Sequence, residues 1–387
     1  FAWFLTDGSG SRPAPPEASV PTSVQQIATC VSCHAWNGDR SLCALSPNNS
    51  EVHIYKVSGG KWDRVAVLKE HTQIVSALAW APNTNKMLSV SHDRNAFVWQ
   101  QSGEQWEPVL VVLRLNRAAL CGQWTQSENK FAIGSGTKTV CVCYYEQDNN
   151  WWVSKHIKRK HASSVLSVAW HPNNVFLATC SSDNKCHIYS AFIQNVDDAA
   201  AVSNALEGAE PFGTLLHQID VAGGWARSVT WSPSGSAIAF ASHDSSVHFA
   251  SGLGGTASSL QQPVTTVRFA SMPFCALLFL SETQLIAAGY DCIPVLFEMD
   301  SATRSFLPVK ALASSTAQGP KKSTQFNAAF DKFRAQTEKG MNVQDSTSAI
   351  DEGPAGPHQN LISCIQPIGN GKFSTTGMDG KIVIWTL

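Results

Sequence analysis

Between His71 and Trp99 the chain reads HTQIVSALAWAPNTNKMLSVSHDRNAFVW. Apolar and polar positions alternate from Ile74 to Trp80 and again from Met87 to Ser91, with a Pro82-Asn83 turn between them. A third short run, Ala96 to Trp99, follows the polar turn His92-Asp93-Arg94. Period-two alternation punctuated by turn residues predicts three strands, each with one buried face. The pattern returns position for position from His161 to Tyr189 (HASSVLSVAWHPNNVFLATCSSDNKCHIY). It returns again from His358 to Trp385, one residue shorter and with a weaker first strand.

The polar positions recur with the apolar ones. An Asp precedes a terminal aromatic by six residues in Asp93/Trp99, Asp183/Tyr189 and Asp379/Trp385. A hydroxyl stands four residues before each Asp, at Ser89, Thr179 and Thr375, and His71, His161 and His358 open the units. This arrangement resembles the WD40 repeat, in which Asp, His, Ser/Thr and Trp form a buried hydrogen-bonded tetrad. Buried polar groups need partners, and each of these can serve another. A His-Asp-Ser set also invites a catalytic reading. Recurrence favours structure, since one chain seldom carries several copies of one active site.

Counting strand-ending positions (Tyr55, Trp99, Tyr144, Tyr189, Ala250, Phe297, Trp385) yields seven repeats. The early spacing of 44 to 45 residues is the period of a four-stranded propeller blade. Four repeats are imperfect: Asn49 and Lys138 stand at the Asp position of the first and third, Ala250 replaces the fifth aromatic, and Ala287 replaces the sixth hydroxyl. The expected fold is all-β, a seven-bladed WD40 β-propeller. An outer strand at Val109 to Arg114 should lead into the next inner strand, Ala118 to Trp124. After Trp385 only Thr386 and Leu387 remain, so the last blade lacks an outer strand. Ser23 to Ala28 can supply it, closing the ring and covering an open edge. Residues 1–22, rich in Pro, Gly and Ser, read as a disordered extension, and 23–387 as the propeller.

Two insertions break the period, 191–212 and 313–357. The first follows the third strand of blade four. The second follows an outer strand at Phe306 to Leu312 and lies on the opposite rim, the one carrying the Asp turns. Within it Phe326, Phe330 and Phe333 fall on one helical face, between an N-cap at Ser323 or Thr324 and a stop at Gly340. Asp331, Lys332, Arg334, Glu338 and Lys339 supply the polar remainder. So short a helix is marginal alone and must dock, either on its own propeller or on a partner.

Composition narrows the chemistry. Over 387 residues the net charge is −1 and the pI about 6.9, so no global pull toward nucleic acid or membrane is expected. No apolar run reaches about 18 residues, so no membrane insertion is expected. The opening FAWFLTDGSG lacks an initiating Met and a basic leader, which reads as a fragment without a secretory signal. Eleven cysteines, an odd number, lie mostly in strand patterns (Cys121, Cys141, Cys143, Cys186, Cys292), as buried thiols of a reducing cytosol would. Cys30-Val31-Ser32-Cys33-His34 matches the c-type haem signature. Aligned on a strand, however, its two cysteines point to opposite faces. A usual zinc spacing is also lacking, so no cofactor or metal is expected.

Nine stretches resemble the WD40 subunits of the actin-related protein 2/3 complex, the assembly that nucleates branched actin filaments. They are SCHAWNGDR (32–40), PNNSEVHIY (47–55), DRNAFVW (93–99), LRLNRAA (113–119), WWVSKHIK (151–158), WHPNNVFLA (170–178), SHDSSV (242–247), AAGYDCIPVLF (287–297) and TTGMDGKIVIW (375–385). The resemblance covers about residues 27 to 387, with a longer N-terminal extension and an earlier C-terminal stop than the family's. It implies a cytoplasmic, non-enzymatic subunit of the actin cytoskeleton that bridges other subunits. It also implies a helix protruding toward actin, matched here by Phe326 to Lys339, with Phe326, Phe330, Phe333 and Arg334 as contacts. Acidic tails of nucleation-promoting factors are further implied partners. Lys155, Lys158, Arg159 and Lys160 could receive them, or could simply discourage sheet pairing at a strand edge. A WD40 adaptor of another complex would share the tetrads but lack the Phe helix. A propeller hydrolase would need a nonrepeated nucleophile–base pair, and neither a Gly-x-Ser-x-Gly nor a His-Glu-x-x-His motif is present.

Overall fold

The computed structural model describes residues 21–103, 105–198, 205, 211–269, 271–303, 305–312 and 356–387. Within them, 28 strands form seven four-stranded antiparallel sheets arranged as the blades of a propeller. Blade two is representative: Val75–Trp80 lies innermost, followed outward by Met87–Ser91, Ala96–Ser102 and Gln105–Val111. Six blades use four consecutive strands. The seventh combines Ile362–Gly369, Lys372–Gly377 and Lys381–Thr386 with the first strand of the chain, Pro21–Gln26.

That closing strand begins two residues earlier than the sequence pattern suggests. Proline is tolerated at a strand's first position, where no ladder N–H is needed. Pro21 pairs with Trp385 and Gln26 with Lys381. Ile27 and Ala28 leave the ladder and donate instead to the Gly380 carbonyl, at 3.0 and 3.2 Å.

Packing explains where simple alternation fails. Leu88, Val90 and Val98 of blade two pack against Phe131, Ile133, Cys141 and Trp152 of blade three. Each blade is thus a slice between two neighbours, and its middle strands have both faces covered. Met87–Ser91 and Phe176–Ser181 are buried at every position, hydroxyl residues included. The inner strand Val75–Trp80 and the outer strand Gln105–Val111 keep accessible positions, so the expectation of one buried face fails chiefly for the second strands.

Other boundaries shift for identifiable reasons. The outer strand of blade two is Gln105–Val111 rather than Val109 to Arg114. Its Pro108 sits opposite Trp99 on the free edge, where a missing N–H costs nothing. In blade three the register is offset by one residue. Cys143 pairs with Phe131 just as Trp99 pairs with Met87, and Thr137, not Lys138, occupies the place of Asp93. The aromatic Tyr144 mimics the strand-ending position from the neighbouring site. Cys292 lies in a turn with left-handed backbone (φ 61°), not in a strand. The helix expected within 313–357 and the extension before Pro21 lie outside the described residues.

Candidate functional site

The Asp turns and the loops entering the inner strands share one face of the ring, because side chains join them. His71 Nδ1 lies 2.8 Å from Asp93 Oδ2, and His71 Nε2 lies 2.8 Å from Ser89 Oγ. Trp99 Nε1 donates to the same Ser89 oxygen at 2.8 Å. Ser89 therefore accepts from Trp99 and keeps its proton for His71, which leaves the His71 Nδ1 proton for Asp93. The imidazole is neutral and the carboxylate ionised. Burial pushes His71 down despite the nearby carboxylate. Burial pushes Asp93 up, but the Thr72 and Asn95 N–H groups and His71 outweigh it and hold the acid below its usual range.

Blades four and seven repeat the set. His161 joins Asp183 at 2.9 Å and Thr179 at 2.8 Å, and the Tyr189 hydroxyl turns to His187 Nδ1 at 2.7 Å. His358 joins Asp379 at 3.2 Å and Thr375 at 2.8 Å, with Trp385 donating to Thr375 at 2.9 Å. The connectivity is that of a hydrolytic triad, but Ser89, Thr179 and Thr375 have no exposed surface. No substrate can reach those hydroxyls without opening the blade.

One bond outlasts the relay. In blades five and six the His is absent, yet Asp244 accepts from Gly223 N–H at 2.9 Å and Asp291 from Met272 N–H at 3.1 Å. Thr72, Ala162 and Gln359 donate equivalently to Asp93, Asp183 and Asp379. In each of these five blades the Asp fastens the incoming loop. Blades two, four and seven add a relay through the His that opens the unit, whereas in blade five Asp244 instead meets the Ser246 hydroxyl, which joins His248.

Lys158, Arg159 and Lys160 stand exposed on the loop between blades three and four, and Lys155 is exposed on the strand leading to it. Lys155 Nζ lies 5.5 Å from the centre of the Phe212 ring, at the end of the first insertion. Burial, and after it the charges of Lys158 and Arg114, push His156 down, which places a further cation beside the cluster. Sequence spacing alone does not pair Arg114 with Lys158, because a whole blade separates them in the chain.

The residues Phe326, Phe330, Phe333 and Arg334 lie outside the described set. The ends of their insertion are placed. Leu312 N–H donates to the Pro294 carbonyl at 2.8 Å, and Gly356 packs against Cys292 and Ile293. Both roots flank the Asp291 turn, on the face of the Asp turns.

The haem-like motif has another use. Cys33 is buried toward blade two, near the Val75 carbonyl, whereas Cys30 faces Met378 of blade seven at 3.5 Å. Both His34 nitrogens are occupied, by Ser374 at 2.7 Å and Thr376 at 2.8 Å. All eleven cysteines are free thiols. On the opposite face, Lys130 is fully buried and meets Asp197 of the first insertion at 2.5 Å. A lysine opening an otherwise apolar strand, KFAIGS, was the available signal.

A family model described as WD domain, G-beta repeat matches residues 62–100 and 152–190. The chain is 47% identical over 374 residues to actin-related protein 2/3 complex subunit 1B of Arabidopsis thaliana, covering 94% of this chain and 96% of the relative. Subunit 1A of the same plant is 46% identical over equal coverage. Subunit 1 of Schizosaccharomyces pombe is 36% identical over 370 residues, covering 92% and 96%.

Proposed function

The chain belongs to the family of subunit 1 of the actin-related protein 2/3 complex, and we propose that it serves as a non-catalytic structural subunit supporting nucleation of branched actin filaments. The observation that carries this reading is near-complete coverage: the 47% identity runs over 94% of this chain and 96% of the relative. The sealed triads favour a scaffold over an enzyme, because their hydroxyls are inaccessible. The reading places the protein in the cytoplasm, with the actin cytoskeleton.

On this reading the insertion at 313–357 reaches from the Asp-turn face to an actin-fold surface. Phe326, Phe330 and Phe333 form its apolar anchor and Arg334 its charged contact. Fully burying one Phe is worth roughly 1.5–3 kcal/mol, so three suffice for a small interface. Lys155, Lys158, Arg159 and Lys160 receive acidic segments of nucleation-promoting factors, an interaction that should weaken with salt. The test is the triple variant Phe326→Ser/Phe330→Ser/Phe333→Ser. Melting and assembly with sister subunits should stay unchanged while branch formation falls. Early melting, or undiminished branching, overturns the anchor assignment.

A further inference from the structure

We propose that the Asp-turn face is also a peripheral docking surface for an anionic lipid bilayer. Two features of that face carry the inference, and they sit at different blades. The first is an arc of cations. Arg114 and Arg117 lie on the loop into blade three, Lys138 on its Asp-position turn, and Lys158, Arg159 and Lys160 on the loop into blade four. All six are exposed, and none is in an ion pair among the described residues. The turns that carry them (112–118, 135–139 and 158–162) contain no Asp or Glu. A chain of net charge −1 therefore concentrates positive charge on one sector of one face.

The second feature is an exposed apolar row at blades five and six. Trp225 is 54% exposed, Met272 57% and Val221 46%. The Trp225 ring lies 5.8 Å from that of His243, which lies 5.8 Å from Tyr290, so the row is continuous across two blades. Met272 adjoins it, through the bond from its N–H to Asp291. Tryptophan, half apolar and half polar, is a side chain suited to the headgroup boundary, and adjacent cations are attracted to anionic headgroups.

An acidic peptide could use the cation arc, but it would have no use for Trp225 and Met272 two blades away. A planar anionic surface meets both sectors at once. That complementarity of charge and of apolar contact is why a bilayer is the favoured occupant. Docking of this kind needs no span, and no helix among the described residues is long and apolar enough to cross a membrane. The inference shares Lys158, Arg159 and Lys160 with the acidic-segment site but does not rest on it.

The experiment is co-sedimentation of the assembled complex containing this chain with two vesicle types, phosphatidylcholine alone and phosphatidylcholine with phosphatidylserine. Binding should require phosphatidylserine and fall as salt rises. Each basic residue near such a surface contributes about a five-fold gain in partition, so Lys158→Gln/Arg159→Gln/Lys160→Gln should lower it about a hundredfold. Trp225→Ser/Met272→Ser, checked for unchanged melting, should weaken the binding that survives at high salt. No preference for phosphatidylserine, or equal partition by the charge variant, overturns the proposal. Binding of a soluble polyglutamate without any binding to vesicles also overturns it, and leaves the acidic-segment reading standing.

Discussion

His34 Nε2 lies 2.7 Å from Ser374 Oγ, joining residues 340 positions apart. Trp36 Nε1 donates to the same oxygen at 2.9 Å, and the second His34 nitrogen meets Thr376. The first and last blades are thus bound by a buried polar cluster as well as by the strand that exchanges between the termini. The neutral imidazole uses its one donor and one acceptor fully, and its complete burial disfavours a second proton.

Acid should therefore open this seam. Burial, reinforced by nearby His358, pushes His34 down to about 3, and burial pushes His187 and His248 down to about 4. Each folded value lies below the unfolded value near 6.5, so the unfolded chain binds protons that the folded one refuses. The stability these groups contribute is complete above about pH 6.5 and is lost as pH falls toward the folded values. Each can cost up to about 1.4 kcal/mol per pH unit within that window. Melting temperature should be flat from pH 7 to 8 and fall steadily below 6.5. A His34→Gln variant should melt earlier at neutral pH but with a shallower acid slope; an unaltered slope would remove His34 from the explanation.

The closing strand makes a separable prediction. Deleting residues 1–20 leaves Pro21–Gln26 paired with Lys381–Thr386 and should leave melting nearly unchanged. Deleting 1–26 exposes the edge of the last blade, and aggregation with a broadened transition is expected. Comparing the two truncations by calorimetry and light scattering decides the matter. Equal damage from both would place the closure elsewhere.

Blade number and closure by an N-terminal strand follow from the repeat pattern, because a propeller turns periodicity directly into architecture. Register was less legible where one signal outweighed another. Tyr144 stands one residue beyond the site that Cys143 fills, and an aromatic in a strand draws an alignment toward itself. Lys130 is harder still. Its strand position demands an apolar side chain, and the charge makes sense only once Asp197, from an insertion 67 residues later, is seen to cover it. The polar seam at His34 was hidden for a related reason: its partners are at the far end of the chain. Local patterns encode strands well and long-range polar partners poorly.

The Asp residues should divide into two classes. Asp93→Ala strips His71 of a buried partner and frees the Thr72 and Asn95 N–H groups, costing roughly 1–3 kcal/mol. Asp244 accepts from the Gly223 and Ser246 N–H groups and from the Ser246 hydroxyl, but no histidine opens its unit. Asp244→Ala therefore leaves no imidazole without a partner and should cost less than Asp93→Ala, about 1 kcal/mol. Urea unfolding of both variants checks the ranking. Equal losses would mean that the histidine relay adds nothing to the backbone bonds.

The last prediction concerns Lys130 and Asp197, whose side chains are 0% and 4% exposed. Lys130 also donates to the Ala191 carbonyl at 2.9 Å and lies 5.1 Å from the Trp170 ring centre. Asp197 accepts from Ile193 N–H at 2.8 Å and from Asn129 at 3.2 Å. The pair therefore fastens the start of the first insertion to blade three, where the Asp–His relay is missing. Removing one partner leaves the other charge buried alone, so Lys130→Met and Asp197→Ala should each cost about 3–5 kcal/mol. The double variant has no orphaned charge and should cost clearly less than the sum, with a coupling of about 0.5–3 kcal/mol. It should not fully recover, because Asn129 and Ile193 still lose their acceptor. Denaturant unfolding of all four proteins measures the cycle. Strict additivity would show that the two charges act independently and that apolar contacts of Ala191 and Ile193 alone hold the insertion down.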